Sequence, residues 1–394
     1  MSVPCLSDTV NTLFRSSLVW EYTMARTDVF FTDRKTESSY NMLDKLEHVF
    51  TELGLDKVIQ SGNKVMIKTH MGLHGNTNHL RPVYVSKLVD LVKSAGGIPF
   101  VSDTCSLGYG NARPYGGRTT APEYLARAIK NGFSQGTLGA PIVIADGYWG
   151  CDTHNVSIDG KHIKSVPIPA ALLDCDVVLV LTHSKFHHTG LASTLKNLGV
   201  GLVGKGGKLA VHCPTGIEIE ADKCLGSDCS KCIDVCPTRC ITITDTVSID
   251  WDHCKQCGHC ASICSGVVKA GAIKMTWSGK DMGERIVENA LGVVNSIGSE
   301  KFYYFNLAID ISDMCDCVCY GAPLLMHDVG IFGSTDPVAI DHATREAMTE
   351  MHPNRDSPAV EKLNELLTKS DVFFDHGVSI GLGTKDYELK LLKR

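Results

Sequence analysis

Eight cysteines between Cys224 and Cys264 are the residues of this chain whose type and spacing speak most directly of chemistry. The first run, Cys224, Cys229, Cys232 and Cys236 followed by Pro237, reads C-x4-C-x2-C-x3-C-P. The second, Cys254, Cys257, Cys260 and Cys264, reads C-x2-C-x2-C-x3-C. A [4Fe–4S] cube needs four thiolates at the corners of a small tetrahedron, and x2 gaps turn a chain tightly enough for one loop to supply three of them. In two-cluster ferredoxins the cysteine before proline serves the other cube. The spacing therefore predicts one cube on Cys224, Cys229, Cys232 and Cys264, and a second on Cys254, Cys257, Cys260 and Cys236. The rivals are a pair of zinc sites or eight buried structural thiols. Zinc knuckles usually present paired cysteines rather than runs of three with a distant fourth, and Pro237 fits the ferredoxin pattern. The x4 gap after Cys224 is longer than the usual two.

A second group of thiols lies at Cys315-Asp-Cys-Val-Cys319. In an extended segment all three sulfurs would share one face, with Asp316 and Val318 on the other. Such a row suits metal ligation at Cys315 and Cys317, sulfur carriage by Cys315, Cys317 or Cys319, or relay of reducing equivalents. A free cysteine is otherwise a small buried hydrophobe.

A third group is cationic: Lys68-Thr-His70, Arg113 in a Gly-rich loop, His183-Ser-Lys-Phe-His-His188, and Lys196-Asn197. These residues are read as lying just past the ends of expected strands. In doubly wound sheets ligands gather outside the carboxyl ends of the strands. Convergent Lys, His and Arg there suit a small anionic substrate or proton delivery to one being reduced. Taken singly, each is a solvated loop residue. Asp103, Asp146 and Asp328 also follow expected strands and are candidates to ligate a metal, position a base or cap a helix. Gly199-Val-Gly-Leu-Val-Gly204 matches G-x-G-x-x-G, but a dinucleotide fingerprint must leave a strand and enter a helix. Here a helix-like segment precedes it and no helix is expected to start at Lys205-Gly-Gly207. No phosphate-binding loop or nucleophile elbow is found.

The elements that must position these residues alternate. Strands are expected at Asp28–Phe31, Lys64–Lys68, Ile98–Val101, Pro141–Ala145, Asp176–Leu181 and Phe302–Ile309. Helices are expected from Pro82, near Pro122–Asn131 and Leu191–Leu198, over Glu284–Ile297, and from Asp336 with Pro337 in its first turn. This predicts an α/β fold, a mostly parallel sheet covered by helices on both faces. The cysteine block interrupts it. There, Cys236-Pro-Thr-Arg-Cys-Ile-Thr-Ile243 echoes Cys264 through Met275, an internal repeat of about 30 residues. The expected organisation is an N-terminal extension over 1–24, an α/β body over 25–214 and 276–394, and an inserted two-cluster ferredoxin-like domain over 215–275.

The 394 residues, 43% hydrophobic and 21% charged, suffice for a large core. The net charge of -6, without a basic stripe, argues against a nucleic-acid partner. No apolar run reaches membrane-spanning length, and Met1 to Trp20 lacks the basic start and apolar core of a secretory signal. Seventeen cysteines then point to a reducing, cytoplasmic setting.

Several stretches together resemble the iron–sulfur proteins of the domain of unknown function numbered 362. They are Ile67-Lys-Thr-His-Met-Gly72, Ser102-Asp-Thr104, Ala145-Asp-Gly147, Ser184-Lys-Phe-His-His188, Lys196-Asn-Leu-Gly199, Cys315-Asp-Cys317, His327-Asp-Val-Gly330 and Ser334-Thr-Asp-Pro-Val-Ala-Ile-Asp341. In the Lys-Phe-His-His stretch, His187 stands where the family commonly has Gly. The resemblance implies iron–sulfur binding and an inserted or appended two-cluster module, and implies no substrate. The expectation is an oxygen-sensitive, ferredoxin-dependent oxidoreductase, in which electrons from a ferredoxin or similar donor pass through two [4Fe–4S] clusters to Cys315, Cys317, Lys68, His188 and Lys196. The alternatives are a non-catalytic electron-transfer or cluster-carrier protein and a sulfur-transfer protein.

Overall fold

A computed structural model describes residues 26–109, 117–321 and 323–394. The extension expected over 1–24 and Arg113 lie outside the described residues. Eight strands form the main sheet: β1 (Thr27–Asp33), β2 (Lys64–Lys68), β3 (Ile98–Asp103), β4 (Ile142–Ile144), β5 (Val177–His183), β6 (Phe302–Ala308), β7 (Gly330–Ser334) and β8 (Tyr387–Leu391). Their spatial order is β8-β1-β7-β6-β5-β2-β3-β4. All neighbours run parallel except β7, which is antiparallel to both β1 and β6. The fold is α/β, as the alternation of elements predicts.

β5 shows why the sheet is covered on both faces. All seven of its residues are buried. Val178 and Val180 pack into one core with Met66, Phe302 and Tyr304. Leu179 and Leu181 pack into the other with Val65, Ile67, Val101 and Phe305. A strand with one solvated face would alternate apolar and polar instead.

The order also locates a switch point. From β2 the sheet grows outward through β3 to β4, and the chain then returns to place β5 on the other side of β2. Crossovers depart in opposite directions from there, leaving a crevice at the carboxyl ends of β2 and β5. Lys68 ends β2, Asp103 ends β3 and His183 ends β5.

Seven of the helices cover this sheet or flank the crevice: α1 (Met42–Glu52), α2 (Pro82–Ser94), α3 (Ala121–Lys130), α4 (Thr194–Gly199), α5 (Lys205–His212), α6 (Met282–Ile297) and α7 (Pro337–Glu350). Asp336 caps α7 by accepting from the Val338 and Ala339 amides, with Pro337 in the first turn. Thr120 and Glu123 form a capping box on α3.

Three expectations are corrected. Residues Gly190–Ala192 pair with Lys185–His187 as a hairpin, so the helix expected from Leu191 begins only at Thr194. A helix does start at Lys205, despite its two early glycines. The G-x-G-x-x-G glycines serve packing: a Cβ at Gly199 would strike the Ile286 carbonyl of α6, and one at Gly204 would strike Thr153. Finally, Cys315–Cys319 is not extended but folded as turns and bends.

The cysteine block holds two small antiparallel pairs, Ile217–Ile219 with Ile273–Met275 and Ile241–Ile243 with Val247–Ile249. It has a core of its own, which Leu107, Leu209 and Cys213 of the body join. The chain enters and leaves this block at one place, where the Ser278 amide donates to the His212 carbonyl at 2.9 Å.

Candidate functional site

The block brings its cysteines together in two sets. Cys224, Cys229, Cys232 and Cys264 line one small cavity with Ile243, Val247 and Ile273. Cys236, Cys254, Cys257 and Cys260 line another with Pro237, Ile217 and Ile249. In each set three thiols come from one run and the fourth from the other, the crossed arrangement the spacing predicts. Four convergent sulfurs in an apolar surround are a donor set that fits a [4Fe–4S] cube. Two further thiols stand close. Cys240 Sγ lies 3.5 Å from Cys236 Sγ, and Cys151 of the body hydrogen-bonds to Cys257. Cys240 is four residues from Cys236 and visible in the sequence; nothing local marks Cys151.

Lys205, the first residue of α5, fastens the block to the body. Its buried ammonium donates to the carbonyls of Gly108 (2.8 Å) and Thr119 (2.6 Å) and to His259 Nε2 (2.5 Å). His259 Nδ1 faces the Val235 carbonyl at 3.1 Å, so Nδ1 carries the proton and Nε2 accepts. Gly150 permits this approach: at φ +74° its missing Cβ leaves room for the Lys205 stem and Cys105.

A cavity of about 530 Å³ opens at the switch point between β2 and β5. Its lining includes His70, Asp103, Arg118, His183, His187, His188, Lys196, Asn197, Lys208, Cys315, Asp316 and Cys317. Leu107 lines it too, and the next residue, Gly108, donates its amide to the Cys257 carbonyl at 3.3 Å. The cavity wall and the second cysteine set are thus neighbours.

Of the residues expected to converge, Lys196, His188, Cys315 and Cys317 line this cavity, and Lys68 lies sealed behind it. Lys68 is fully buried, with Nζ 3.0 Å from Asp103 Oδ1 and 2.7 Å from Asn197 Oδ1. Burial opposes ionisation of Asp103, but the Lys68 ammonium outweighs it and holds the carboxyl below its ordinary range. Tyr124 also donates to Asp103. Lys68 therefore braces two lining residues rather than facing the cavity itself.

The turn at Cys315–Cys317 has a physical cause in Asp316. Its carboxylate is 2.9 Å from His183 Nδ1 and 2.9 Å from Lys185 Nζ, all three groups being buried. Drawing Asp316 inward folds the chain back and lets the two flanking thiols meet, whereas Cys319 stays outside their group. The Cys315 thiol is brought down to about 5, first by a hydrogen bond from Cys317, against burial, and then by Lys196, whose Nζ is 3.4 Å from Cys315 Sγ. Burial opposes the charge on Lys196, yet the facing Cys315 thiolate holds it above the ordinary lysine range. The site therefore holds a thiolate–ammonium pair at neutral pH.

Other cations face the same space. Arg118 Nη1 lies 2.6 Å from His70 Nε2, and the buried Arg118 Nε has no acceptor among the described residues. Burial, then Arg118, brings His70 down to about 3, so its ring is neutral. Burial brings Lys208 down to about 8. A buried guanidinium edge lacking an acceptor beside Lys196 and Lys208 suits an anion. Arg118, Lys208 and Asp316 are lining residues that the sequence did not single out as the site, whereas His187 falls within the cationic group. Asp316 and His187 lie within the family-like stretches, while Arg118 and Lys208 have no local signal.

Asp146 and Asp328 have structural partners. Asp146 accepts from the Cys105 amide, and Asp328 binds Arg34 and the Asp310 amide. α4, which carries Lys196 and Asn197, is held by Asp341 of α7. The Asp341 carboxylate accepts from the Thr194 amide (2.9 Å), the Leu195 amide (2.8 Å) and Asn306 (2.8 Å).

The chain belongs to the family Domain of unknown function (DUF362), whose model matches residues 65–346. A stretch of 74 residues, 19% of the chain, is 38% identical to pyruvate synthase subunit PorD of Methanothermobacter marburgensis and covers 83% of that protein. Among solved structures, the lactate racemase apoprotein from Thermoanaerobacterium thermosaccharolyticum aligns with a TM-score of 0.35 and 11% identity. That alignment covers 72% of this chain and 51% of the racemase, so the chain spans about half of its length. No helix among the described residues is long and apolar enough to cross a membrane.

Proposed function

We propose that this member of the family is an iron–sulfur electron-transfer protein whose body reduces a small anionic substrate in the cavity at the switch point. The observation that carries the reading is a pair of crossed four-thiol sets, the second of which adjoins a cavity lined with cations. Cys224, Cys229, Cys232 and Cys264 would hold one [4Fe–4S] cluster, and Cys236, Cys254, Cys257 and Cys260 the other. Such clusters, when bound, supply one-electron reduction.

The chain's own residues have separable tasks in this reading. Arg118 and Lys196 bind and orient the anion, Lys208 adds charge below pH of about 8, and His188 stands at hand for a proton. Lys205 and the Leu107–Gly108 segment keep the block against the cavity wall. The likeness over 74 residues to a protein named as a subunit of pyruvate synthase supports a module that serves a larger enzyme. A ferredoxin-like donor is the expected partner. A pure carrier would have no use for a cavity of about 530 Å³ with buried cations.

The test is the iron content of anaerobically prepared protein. About eight irons per chain are expected, with visible absorbance that dithionite bleaches. Cys257→Ser should lose or destabilise one cube and keep the circular dichroism of the α/β body. Zinc at these eight cysteines in place of iron, in protein never exposed to air, would overturn the reading.

A further inference from the structure

His187, Cys315 and Cys317 each offer one ligand atom, and all three atoms lie within 4.8 Å of one another. We propose that these residues hold a single divalent metal ion of zinc's borderline-soft class, with its fourth position open to the cavity and filled by an oxygen of a small carboxylate or related oxyanion. This rests on the same cavity as the proposed function, but not on the iron–sulfur reading.

Three observations support it. The first is the donor set. A Cys2His trio with one open position is a pattern used by catalytic zinc, and a tetrahedral shell with Zn–S near 2.3 Å and Zn–N near 2.0 Å separates its ligand atoms by about 3.6 Å. The three groups need only draw slightly together. The second is the surrounding support. His187 Nδ1 is engaged by Thr189 Oγ1 at 2.9 Å, which orients the ring and leaves Nε2 as the ligand. Asp316, between the two cysteines, binds Lys185 at 2.9 Å, and Lys185 lies on the short strand that carries His187. The Phe186 amide of that strand donates to the Ser312 carbonyl at 3.0 Å, just ahead of the turn. Thiols and imidazole are therefore stitched together by groups that do not themselves ligate. A dithiol serving only to form a disulfide would need neither the imidazole nor its Thr189 partner.

The third is charge. Two thiolates neutralise a divalent ion, Lys68 is paired with Asp103, and Asp316 is paired with His183 and Lys185. What remains facing the cavity is the Lys196 ammonium, 3.4 Å from Cys315 Sγ, with the Arg118 guanidinium and Lys208. An anion in the open position meets the metal and these cations, which a neutral ligand would leave uncompensated.

The experiment uses the full chain prepared anaerobically, incubated with one equivalent of zinc and desalted. Total metal is then measured, and the zinc environment is read by X-ray absorption at the zinc edge, where iron does not interfere. One zinc beyond the irons is expected, with a shell of two sulfurs and light N/O atoms. Cys315→Ser and His187→Ala should each lose it while retaining iron and circular dichroism, and Thr189→Val should weaken zinc binding about tenfold. No retained zinc, a shell of four sulfurs, or zinc that survives in both variants would overturn the proposal. The wild-type shell decides the matter even if a variant fails to fold. Zinc in a two-sulfur shell without iron would instead defeat the proposed function alone.

Discussion

At the scale of single residues, the cavity depends on buried charges, several of which are matched by a partner. Lys68 is the clearest case. Its ammonium is sealed from solvent and touches Asp103 and Asn197, both of which line the cavity. Removing one member of such a pair leaves the other charge buried and uncompensated. Lys68→Met should therefore cost about 3–5 kcal/mol of stability, read as a lowered urea midpoint. An unchanged midpoint with abolished turnover would mean that Lys68 acts on substrate directly. Asp316→Ala makes a parallel demand, because Lys185 would lose its buried counter-ion and His183 its hydrogen-bond acceptor.

At the scale of elements, the site is held by α7 acting through α4. The motif Ser334-Thr-Asp-Pro-Val-Ala-Ile-Asp341 supplies a helix cap at Asp336 and, one turn and a half further on, a carboxylate that accepts the first amides of α4. Asp341→Asn would set an amide N–H against a backbone N–H, at a cost of about 1–3 kcal/mol. Burial raises Asp341 to about 6 despite its three donors. A carboxyl raised on folding favours the folded state while protonated, and that contribution is lost as pH climbs from its unfolded value of about 4 through 6. The wild type should thus lose about 1 kcal/mol relative to Asp341→Asn between pH 5 and 7. Denaturation midpoints of both proteins across that range would check this; a gap that widens with pH would contradict it.

At the scale of the molecule, the cysteine block behaves as an insertion into a sheet that is complete without it. None of its strands joins the eight-stranded sheet, and its entry and exit meet at the hydrogen bond between Ser278 and His212. Replacing residues 214–276 with a short Gly-Ser linker should leave an α/β body that still folds, binds no iron and keeps the His187–Cys315–Cys317 trio. Circular dichroism and metal content test this. Loss of cooperative unfolding would show that Leu107, Leu209 and Cys213, uncovered by the deletion, depend on the block's core.

What the chain determines locally is legible from its residues alone. Thiols three apart must meet in a tight turn, so the two cysteine sets and their crossing follow from spacing, as does the alternation of apolar strands and amphipathic helices. Extended patterning at Lys64–Lys68 likewise places Lys68 at a strand end. The expectation failed where local pattern competes with a distant partner. Cys315–Cys319 alternates like a strand, but buried His183 and Lys185 pull Asp316 inward and fold it into a turn. Lys205-Gly-Gly207 looks too rich in glycine to start a helix, yet a Cβ at Gly207 would crowd Val203 and one at Gly206 would press on the Lys255 carbonyl. Which side chains share the cavity is decided by strand order, since β5 must cross back to β2 before His187 and Lys196 can approach Cys315 and Cys317. Spacing constrains residues only as far as a turn or helix reaches; beyond that, partners are chosen by how the sheet is wound and which buried charges find each other.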